Sequence, residues 1–182
     1  SLSAFGNTIP TSYLRLVPHQ EAPTNVCWGD RNRSVLIRVP LGWIGGKEMI
    51  SDANPNVKVN VENIPDRQTF EFRCPDGSAD IYMLFAGLCV GVRHGFEMTD
   101  SLKKAEELYV PVNIFKDEHK HIQDRLKKLP VSCYEAAEKL KEQSDIYKKY
   151  DIFSQNVIDQ VVNNLKKYND KDLSEKLYGK NE

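Results

Sequence analysis

The chain has 182 residues and a formal net charge of −1, with 25 basic residues against 26 acidic ones. Hydrophobic residues make up 40% of the sequence and charged residues 28%, a composition that excludes wholesale disorder and collagen-like structure. Because a near-neutral chain has no overall field to hold a polyanion, we expect no nucleic-acid partner and look for anion sites in local clusters. No apolar run reaches the roughly 18 residues that a membrane helix needs, so we expect no membrane partner either.

The cysteines and the first residues bear on the cellular compartment. The cysteines are widely scattered and lack the paired spacing of a zinc site; they are Cys27, Cys74, Cys89 and Cys133. The stretch Ser1-Leu2-Ser3-Ala4 has no basic segment followed by an apolar one, so it does not resemble an export signal. We therefore expect reduced thiols and a cytoplasmic protein.

Arginine and lysine divide the sequence near residue 100. Up to that point seven of the nine basic residues are arginine, whereas beyond it only Arg125 is. Arginine offers a planar fork of donors that suits carboxylate and phosphate, and lysine is mainly a solvated point charge. The first part of the chain is therefore the place to look for chemistry.

Short strands joined by turns are predicted for the first hundred residues. Cys27-Trp28 and Val35-Leu36-Ile37 lie in β-prone runs bounded by turn residues. Residues 57–62 alternate apolar and polar side chains, which predicts a strand with one solvent-exposed face. A further strand is predicted over residues 69–74.

From about residue 79 the apolar period becomes that of a helix. Apolar side chains three and four positions apart form a broad stripe, which we expect to pack on the sheet. They are Ile81, Leu84, Phe85, Leu88, Cys89 and Val92. The turn 76–78 is predicted to cap this helix, and His94-Gly95 to end it.

Residues 101–182 are predicted to be almost wholly helical. Ser132 and Glu135 have the spacing of a capping box, and Ser154 precedes the apolar positions of another helix. The lysine pairs of this region alternate with acidic residues and indicate solvated helix faces.

Three arginines lie close together around a turn, and such a cluster favours an anion. They are Arg31, Arg33 and Arg38. Arg33 and Arg38 are an odd number of positions apart and would point to opposite faces of one unbroken strand, so spacing alone leaves their relation open. The alternative is surface ion pairing with Asp30, Asp52 or Asp66.

Glu71 and Arg73 share one face of the strand predicted over 69–74, because they are two residues apart. The pair is either a cross-strand ion pair or a site in which Glu71 is an oxygen ligand for Mg²⁺ and Arg73 holds a carboxylate or phosphate. Glu21 lies before Pro23 in an extended loop, where a carboxylate is either solvated or serves as a base.

Five segments between residues 10 and 80 carry a distinctive set of motifs in a fixed order. They are Ser12-Tyr13-Leu14-Arg15-Leu16-Val17-Pro18, Glu21-Ala22-Pro23, Arg31-Asn32-Arg33-Ser34, Ile37-Arg38-Val39-Pro40 and Phe70-Glu71-Phe72-Arg73-Cys74-Pro75-Asp76. Their order and spacing resemble the later part of the catalytic domain of the glutamine synthetase family, and residues 129–136 resemble a later family segment. The chain is therefore expected to be the carboxy-terminal portion of a longer enzyme.

The resemblance implies an α+β fold that contains part of the family's antiparallel sheet, followed by a mainly helical carboxy-terminal region. Residues 1–100 would hold the end of the catalytic sheet with its packing helix, and residues 101–182 the helical region of the same domain. The family joins glutamate and ammonia through γ-glutamyl phosphate, with ATP as a substrate and Mg²⁺ or Mn²⁺ as the metal. Family members form stacked rings, so the resemblance also implies a homo-oligomer.

On the glutamate side, the resemblance implies that Arg15 and Arg73 bind the carboxylates of glutamate. Glu21 would be a catalytic residue on the flap that closes over the intermediate, where it accepts a proton from ammonium. The family's Asn-Ser-Tyr motif departs here, because Thr11 precedes Ser12-Tyr13.

On the phosphate side, Arg33 would be catalytic and would hold the transferring phosphoryl group and, together with Arg38, the phosphates of ATP. Glu71 would ligate the metal that bridges those phosphates. The family usually has an arginine two residues before this glutamate; Thr69 stands there, and Arg67 is the expected substitute. Such roles suit the chemistry, since anionic reactants need cationic clamps and an acyl phosphate must be shielded from water.

The resemblance leaves two alternatives open: a relative that joins glutamate to an organic amine, and a non-catalytic anion-binding or regulatory module. Most of the family's metal ligands belong to segments without a counterpart here, so we expect the chain alone to be inactive. Tyr109 falls near a tyrosine that some bacterial members carry adenylylated, but Val110-Pro111-Val112 departs from that pattern and we expect no modification. Exposed sheet edges and apolar faces are expected to drive dimerisation or artificial packing of such a piece.

Overall fold

The computed structural model of the chain describes residues 1–16, 22–41, 53–56 and 68–177. The strands are β1 (Trp28–Asp30), β2 (Ile37–Val39) and β3 (Glu71–Phe72). The α-helices are α1 (Ser3–Gly6), α2 (Ile81–Glu97), α3 (Ser101–Glu107), α4 (Lys120–Arg125), α5 (Cys133–Glu142), α6 (Ser144–Lys148), α7 (Gln155–Lys166) and α8 (Leu173–Leu177). Turns of 3₁₀-helix cover Pro10–Tyr13, Asp117–His119 and Lys149–Asp151. The strand predicted over 57–62 lies outside the described residues.

The strands form a mixed sheet in the order β1-β2-β3. β2 and β3 are antiparallel, as the family's sheet implies, but β1 and β2 are parallel, so the prediction of an antiparallel sheet is wrong for that pair. Parallel neighbours ordinarily need a crossover of a dozen or more residues. Here the connection between the two parallel strands is only six residues long, 31–36. It is closed by the amides of Leu36 and Ile37, which both donate to the Cys27 carbonyl, at 3.1 and 3.2 Å.

The helix predicted from about residue 79 is confirmed as α2. Its cap is Asp80, whose side chain accepts a hydrogen bond from the Met83 amide at 3.1 Å, and not the turn 76–78. His94-Gly95 does not end the helix, since the Met98 amide still donates to the His94 carbonyl at 3.1 Å. The sequence therefore predicts a capped helix correctly, but both the cap and the helix end lie a few residues later than predicted.

The apolar stripe of α2 does not pack on the sheet as predicted. Ile81, Phe85 and Val92 are 75%, 68% and 60% exposed. The helix instead contacts α1 and α6 with its opposite face, where Gly87 and Val90 are buried. The physical reason is that this second face has small residues. A Cβ at Gly87 would lie 3.0 Å from side-chain atoms of Leu2 and Phe5. Helix α1 can therefore approach α2 closely only because Gly87 has no side chain.

The main hydrophobic core lies between α1 and the carboxy-terminal helices. Phe5 contacts Tyr147 and Phe153 with ring centroids 5.5 and 5.3 Å apart. Buried side chains from both parts of the chain complete this core, among them Leu16, Cys74, Val90, Leu140, Ile158 and Val162. A smaller cluster packs beside β1; it consists of Cys27, Val35, Val110, Ile114 and Leu126.

The helix starts predicted at Ser132 and Ser154 are confirmed. Their hydroxyls accept hydrogen bonds from the amides of Glu135 at 3.1 Å and Val157 at 3.3 Å. The region after residue 100 is less helical than predicted, because residues 108–110 pair with β1: the Trp28 amide donates to the Leu108 carbonyl at 3.0 Å. Among the described residues, no helix has the length and apolar character needed to cross a bilayer.

Candidate functional site

β2 and β3 bring a predicted arginine and a predicted carboxylate together on one sheet face. Arg38 and Glu71 are direct cross-strand partners, and Nη2 of Arg38 lies 2.5 Å from Oε2 of Glu71. Nε of Arg73 lies 3.8 Å from the other carboxylate oxygen, Oε1. Glu71 therefore lies between two guanidinium groups, and its side chain is still 42% exposed to a ligand from solvent.

Arg73 is held along the loop that follows β1. Its Nη1 donates to the Arg33 carbonyl and, at 3.3 Å, to the Val35 carbonyl. Its backbone amide donates to the Leu36 carbonyl at 3.0 Å. Because carbonyls from a single loop hold the guanidinium in place, the position of Arg73 depends on the conformation of residues 33–36.

Arg15 contacts the residues that follow β3. Its Nη2 donates to the Cys74 carbonyl, and its Nε lies 4.0 Å from Oδ2 of Asp76. Burial by itself would raise the pKa of Asp76, but hydrogen bonds from Ser78 and Ser12, together with the nearby Arg15, lower it below its ordinary value. Asp76 is therefore a stable anion that fixes Arg15 at residues 74–76.

Two of these arginines keep donor capacity for a ligand. The Nε atoms of Arg15 and Arg38 are buried and make no hydrogen bond. An unpaired buried donor is costly, whereas a guanidinium bound to a phosphate or carboxylate oxygen is strongly stabilised. Both Nε atoms are shielded from solvent, so an anion would have to meet the outer nitrogens of these guanidinium groups.

The other two arginines predicted at the turn, Arg31 and Arg33, have exposed side chains that make no salt bridge within the described ranges. The carbonyl of Arg33 accepts the hydrogen bond from Arg73, so the backbone of Arg33 belongs to the site. Glu21 and Arg67, the predicted flap carboxylate and additional phosphate ligand, lie outside the described residues.

A residue that the motif analysis did not assign, Asn32, holds the loop of Arg33. Its Nδ2 donates to the carbonyls of Val110 at 3.1 Å and Val112 at 2.7 Å. Its Oδ1 accepts from the Ser34 amide at 2.9 Å and the Ser34 hydroxyl at 2.7 Å. An Asn two residues before a Ser in a turn is the local signal for such an Asx turn, but the carbonyls on the far segment leave no local trace in the sequence.

Gly29 in β1 has no space for a larger side chain. A Cβ added at Gly29 would lie 2.3 Å from the Val110 carbonyl oxygen. Tyr109 packs on Trp28 with ring centroids 4.8 Å apart, and its hydroxyl donates to Asp30 at 3.4 Å. Residues 108–112 therefore pack tightly against β1, next to the loop that contains Arg31 and Arg33.

One side chain of this site is a suitable ligand for a divalent metal. The Glu71 carboxylate has the hard oxygen atoms that Mg²⁺ and Mn²⁺ accept. The described ranges, however, contain no group of three or more His, Cys, Asp or Glu side chains that could hold a metal. In this part of the chain the residues fit one metal ligand and not a complete metal site.

Comparison with known proteins identifies the family that this chain resembles. The family model described as the catalytic domain of glutamine synthetase matches residues 1–177. The chain is 34% identical over 145 residues to a protein named glutamine synthetase from Pyrococcus abyssi, covering 77% of this chain and 26% of the relative. Proteins of the same name from Thermococcus kodakarensis and Mycolicibacterium smegmatis are 35% and 32% identical over 150 and 163 residues, which is 80% and 87% of this chain.

The alignments span 26–28% of the length of these curated relatives. The motifs that contain Arg15, Arg38, Glu71 and Arg73 lie within residues 1–177, which the family model matches. The chain therefore belongs to the glutamine synthetase family, by a match to its catalytic domain.

Proposed function

We propose that this chain forms the arginine-rich part of the active site of an ATP-dependent ligase that joins glutamate and ammonia. The observation that carries the proposal is the convergence of Arg38, Glu71 and Arg73 on one sheet face. Membership of the glutamine synthetase family supports this reaction, which is proposed to proceed through γ-glutamyl phosphate.

Arg15 and Arg73 bind the carboxylates of glutamate. Backbone carbonyls of Cys74, Arg33 and Val35 already hold both guanidinium groups in place. A clamp that is ordered before the substrate arrives loses less entropy on binding and keeps the γ-carboxylate in line with the nucleotide. Glu21 accepts a proton from ammonium as its loop excludes water from the intermediate.

Arg33, Arg38 and Arg67 bind the phosphates of ATP, and Arg33 also holds the transferring phosphoryl group. Their charge stabilises the oxygens on which negative charge develops during transfer. Glu71 would supply one ligand to Mg²⁺ or Mn²⁺, and such a metal would neutralise phosphate charge. The exposed side chain of Arg33 is free to swing towards a nucleotide, while its backbone is held by Arg73.

The chain by itself does not catalyse the synthetase reaction in this proposal. One carboxylate cannot assemble a metal site, and the described part of the chain has no group of three or more His, Cys, Asp or Glu side chains that could hold a metal. The whole protein is proposed to be a cytoplasmic homo-oligomer. Its remaining metal ligands are proposed to come from the part of the protein that lies outside the region aligned with the curated relatives.

The test measures phosphate release in the full-length protein that contains this chain, with glutamate, ammonium and ATP all required. Replacing Arg33 by Ala should lower turnover by a factor on the order of 100 to 1,000, the usual loss when one group that stabilises transition-state charge is removed. The matched control is Arg31→Ala, since Arg31 is an exposed neighbour of the same charge. Unchanged turnover in Arg33→Ala would favour a non-catalytic anion-binding module.

The acceptor amine is tested in the same assay. We expect ammonium to support faster turnover than polyamines, because the proposed Glu21 needs only to deprotonate a small cation. A preference for an organic amine would instead identify a glutamate–amine ligase. The chain of 182 residues, assayed alone, should form no glutamine.

A further inference from the structure

Ser34 is a buried residue of the loop between β1 and β2, and the proposed reaction assigns no role to it. Its residue is only 2% exposed. Its hydroxyl donates to Oδ1 of Asn32 at 2.7 Å and accepts from the Ile114 amide at 3.1 Å. The hydroxyl therefore joins this loop to a segment 80 residues further along the chain.

The segment that receives the loop is a packed part of the protein. Val110 and Ile114 are 0% and 1% exposed, and they belong to the same hydrophobic cluster as Val35, the residue that follows Ser34. A hydrogen bond in such dry surroundings is stronger than one in water. The Ser34 hydroxyl therefore fixes the loop on a part of the core that has little freedom to move.

Ser34 lies between the two residues whose carbonyls hold the side chain of Arg73. Nη1 of Arg73 donates to the Arg33 carbonyl and, at 3.3 Å, to the Val35 carbonyl. Residues 33–35 lie outside the paired positions of β1 and β2, so the ladder of the sheet does not set their place. A shift of Ser34 would move both acceptors and, with them, the guanidinium group of Arg73.

We propose that Ser34 is a positioning residue for Arg73: its hydroxyl anchors the loop on Ile114, and the loop carbonyls set the place of the guanidinium. The consequence for catalysis rests on the proposed function, in which Arg73 binds a carboxylate of glutamate. Misplacing a reactant by about 1 Å can lower the rate by on the order of 100-fold. Ser34 acts through Arg73 and touches no substrate itself.

The first test compares two Michaelis constants in the full-length protein that contains this chain. Ser34→Ala should raise the KM for glutamate by about ten-fold and change the KM for ATP by less than about two-fold. The guanidinium of Arg73 follows the loop, whereas the long exposed side chain of Arg33 compensates for a small shift of its backbone. A purely structural role would reduce the amount of folded enzyme, which lowers the apparent kcat and leaves both KM values unchanged.

Ser132→Ala is the matched control. Ser132 is 1% exposed, and its hydroxyl accepts from the Glu135 amide at 3.1 Å, the same distance as between Ser34 and Ile114. The two substitutions remove similar buried hydrogen bonds, but Ser132 caps α5 and is not part of the loop. Ser34→Cys nearly keeps the size of the side chain and bonds only weakly, so it should raise the glutamate KM less. It supplies the test where Ser34→Ala does not fold.

The second test does not depend on turnover. Phenylglyoxal reacts with guanidinium groups, and peptide mass spectrometry reports the labelling of Arg73 separately from that of other arginines. In Ser34→Ala, Arg73 should be labelled at least about three times faster than in the original protein, because opening of the loop releases its guanidinium. Ser132→Ala should leave this rate unchanged. Added glutamate should slow the labelling of Arg73 in the original protein, which tests the proposed function separately.

The positioning role is overturned by unchanged labelling of Arg73 in folded Ser34→Ala or by an equal rise of both KM values. It is also overturned if Ser132→Ala raises the glutamate KM as much as Ser34→Ala does. A failure of the proposed function gives a different result. The original full-length protein then forms no glutamine and glutamate does not protect Arg73, while Ser34→Ala still accelerates the labelling and supports the positioning role.

Discussion

Arg38 and Glu71 face each other across β2 and β3, with 2.5 Å between the guanidinium nitrogen and the carboxylate oxygen. The contact joins a residue proposed to bind phosphate to one proposed to bind metal. Because the Glu71 side chain is 42% exposed, the pair contributes little to stability.

Glu71→Gln should therefore separate stability from activity. We expect the free energy of unfolding of the chain to fall by only about 0–1 kcal/mol, because solvent screens an exposed ion pair. Turnover of the full-length protein should be lost, since a neutral amide is a poor metal ligand. Urea unfolding and phosphate release measure the two effects, with exposed Glu106→Gln as the control. A large loss of stability would show that Glu71 is structural.

Asn32→Ala should destabilise the chain strongly. The substitution leaves the carbonyls of Val110 and Val112 and the amide of Ser34 without their partner at a buried position. With about 1 kcal/mol for each lost hydrogen bond and more for groups left unsatisfied, we expect a loss of about 2–4 kcal/mol in urea unfolding. Asn156→Ala, at an exposed position of α7, should change stability by less than about 0.5 kcal/mol. Similar effects at both positions would contradict the role of Asn32 as a clamp.

Gly29→Ala should disturb β1 by a steric clash. The new Cβ would lie 2.3 Å from the Val110 carbonyl oxygen, which is part of the backbone and cannot rotate away. We expect a loss of about 1–3 kcal/mol, read as a lower midpoint of thermal unfolding. Gly77→Ala is the control, since a Cβ there meets nothing within 4 Å. An unchanged midpoint for Gly29→Ala would mean that β1 and residues 108–112 are not packed as described.

Asp76→Asn should change the acid dependence of stability. The folded pKa of Asp76 is lowered from its ordinary value of 3.8, so the ionised carboxylate stabilises the fold at higher pH. That stabilisation is complete above the unfolded value and is lost as the pH falls through the folded pKa. We expect Asp76→Asn to be less stable than the original chain at neutral pH, and the difference to shrink below pH 3.8. Urea unfolding across this range measures it, and a difference independent of pH would contradict the assignment.

The parts of the fold that depend on near neighbours could be predicted from the sequence. The helix starts at Ser132 and Ser154 each rest on a hydroxyl and an amide three residues later. The pairing of Glu71 and Arg73 on one strand face follows from the two-residue period of a strand.

The arrangement of the site could be predicted only in part. The motifs identified Arg15, Arg38, Glu71 and Arg73 as members of one site, whereas the role of Asn32 was missed because its acceptors lie 78 and 80 residues further along the chain. The packing of α2 was also predicted wrongly. Periodicity showed that the helix has an apolar stripe, but both of its faces are apolar, and only the close approach of α1 at Gly87 decides which one is buried.

The sequence by itself thus determined the helix starts, the face shared by Glu71 and Arg73 and the family, because these depend on residues a few positions apart or on motifs in order. Only the tertiary structure decided that β1 and β2 run parallel, that Arg38 meets Glu71, and that Arg73 is held by the carbonyls of Arg33 and Val35. The physical reason is that strand register and burial depend on partners brought together by the whole fold, whereas helix caps and side-chain periods depend on the local backbone alone.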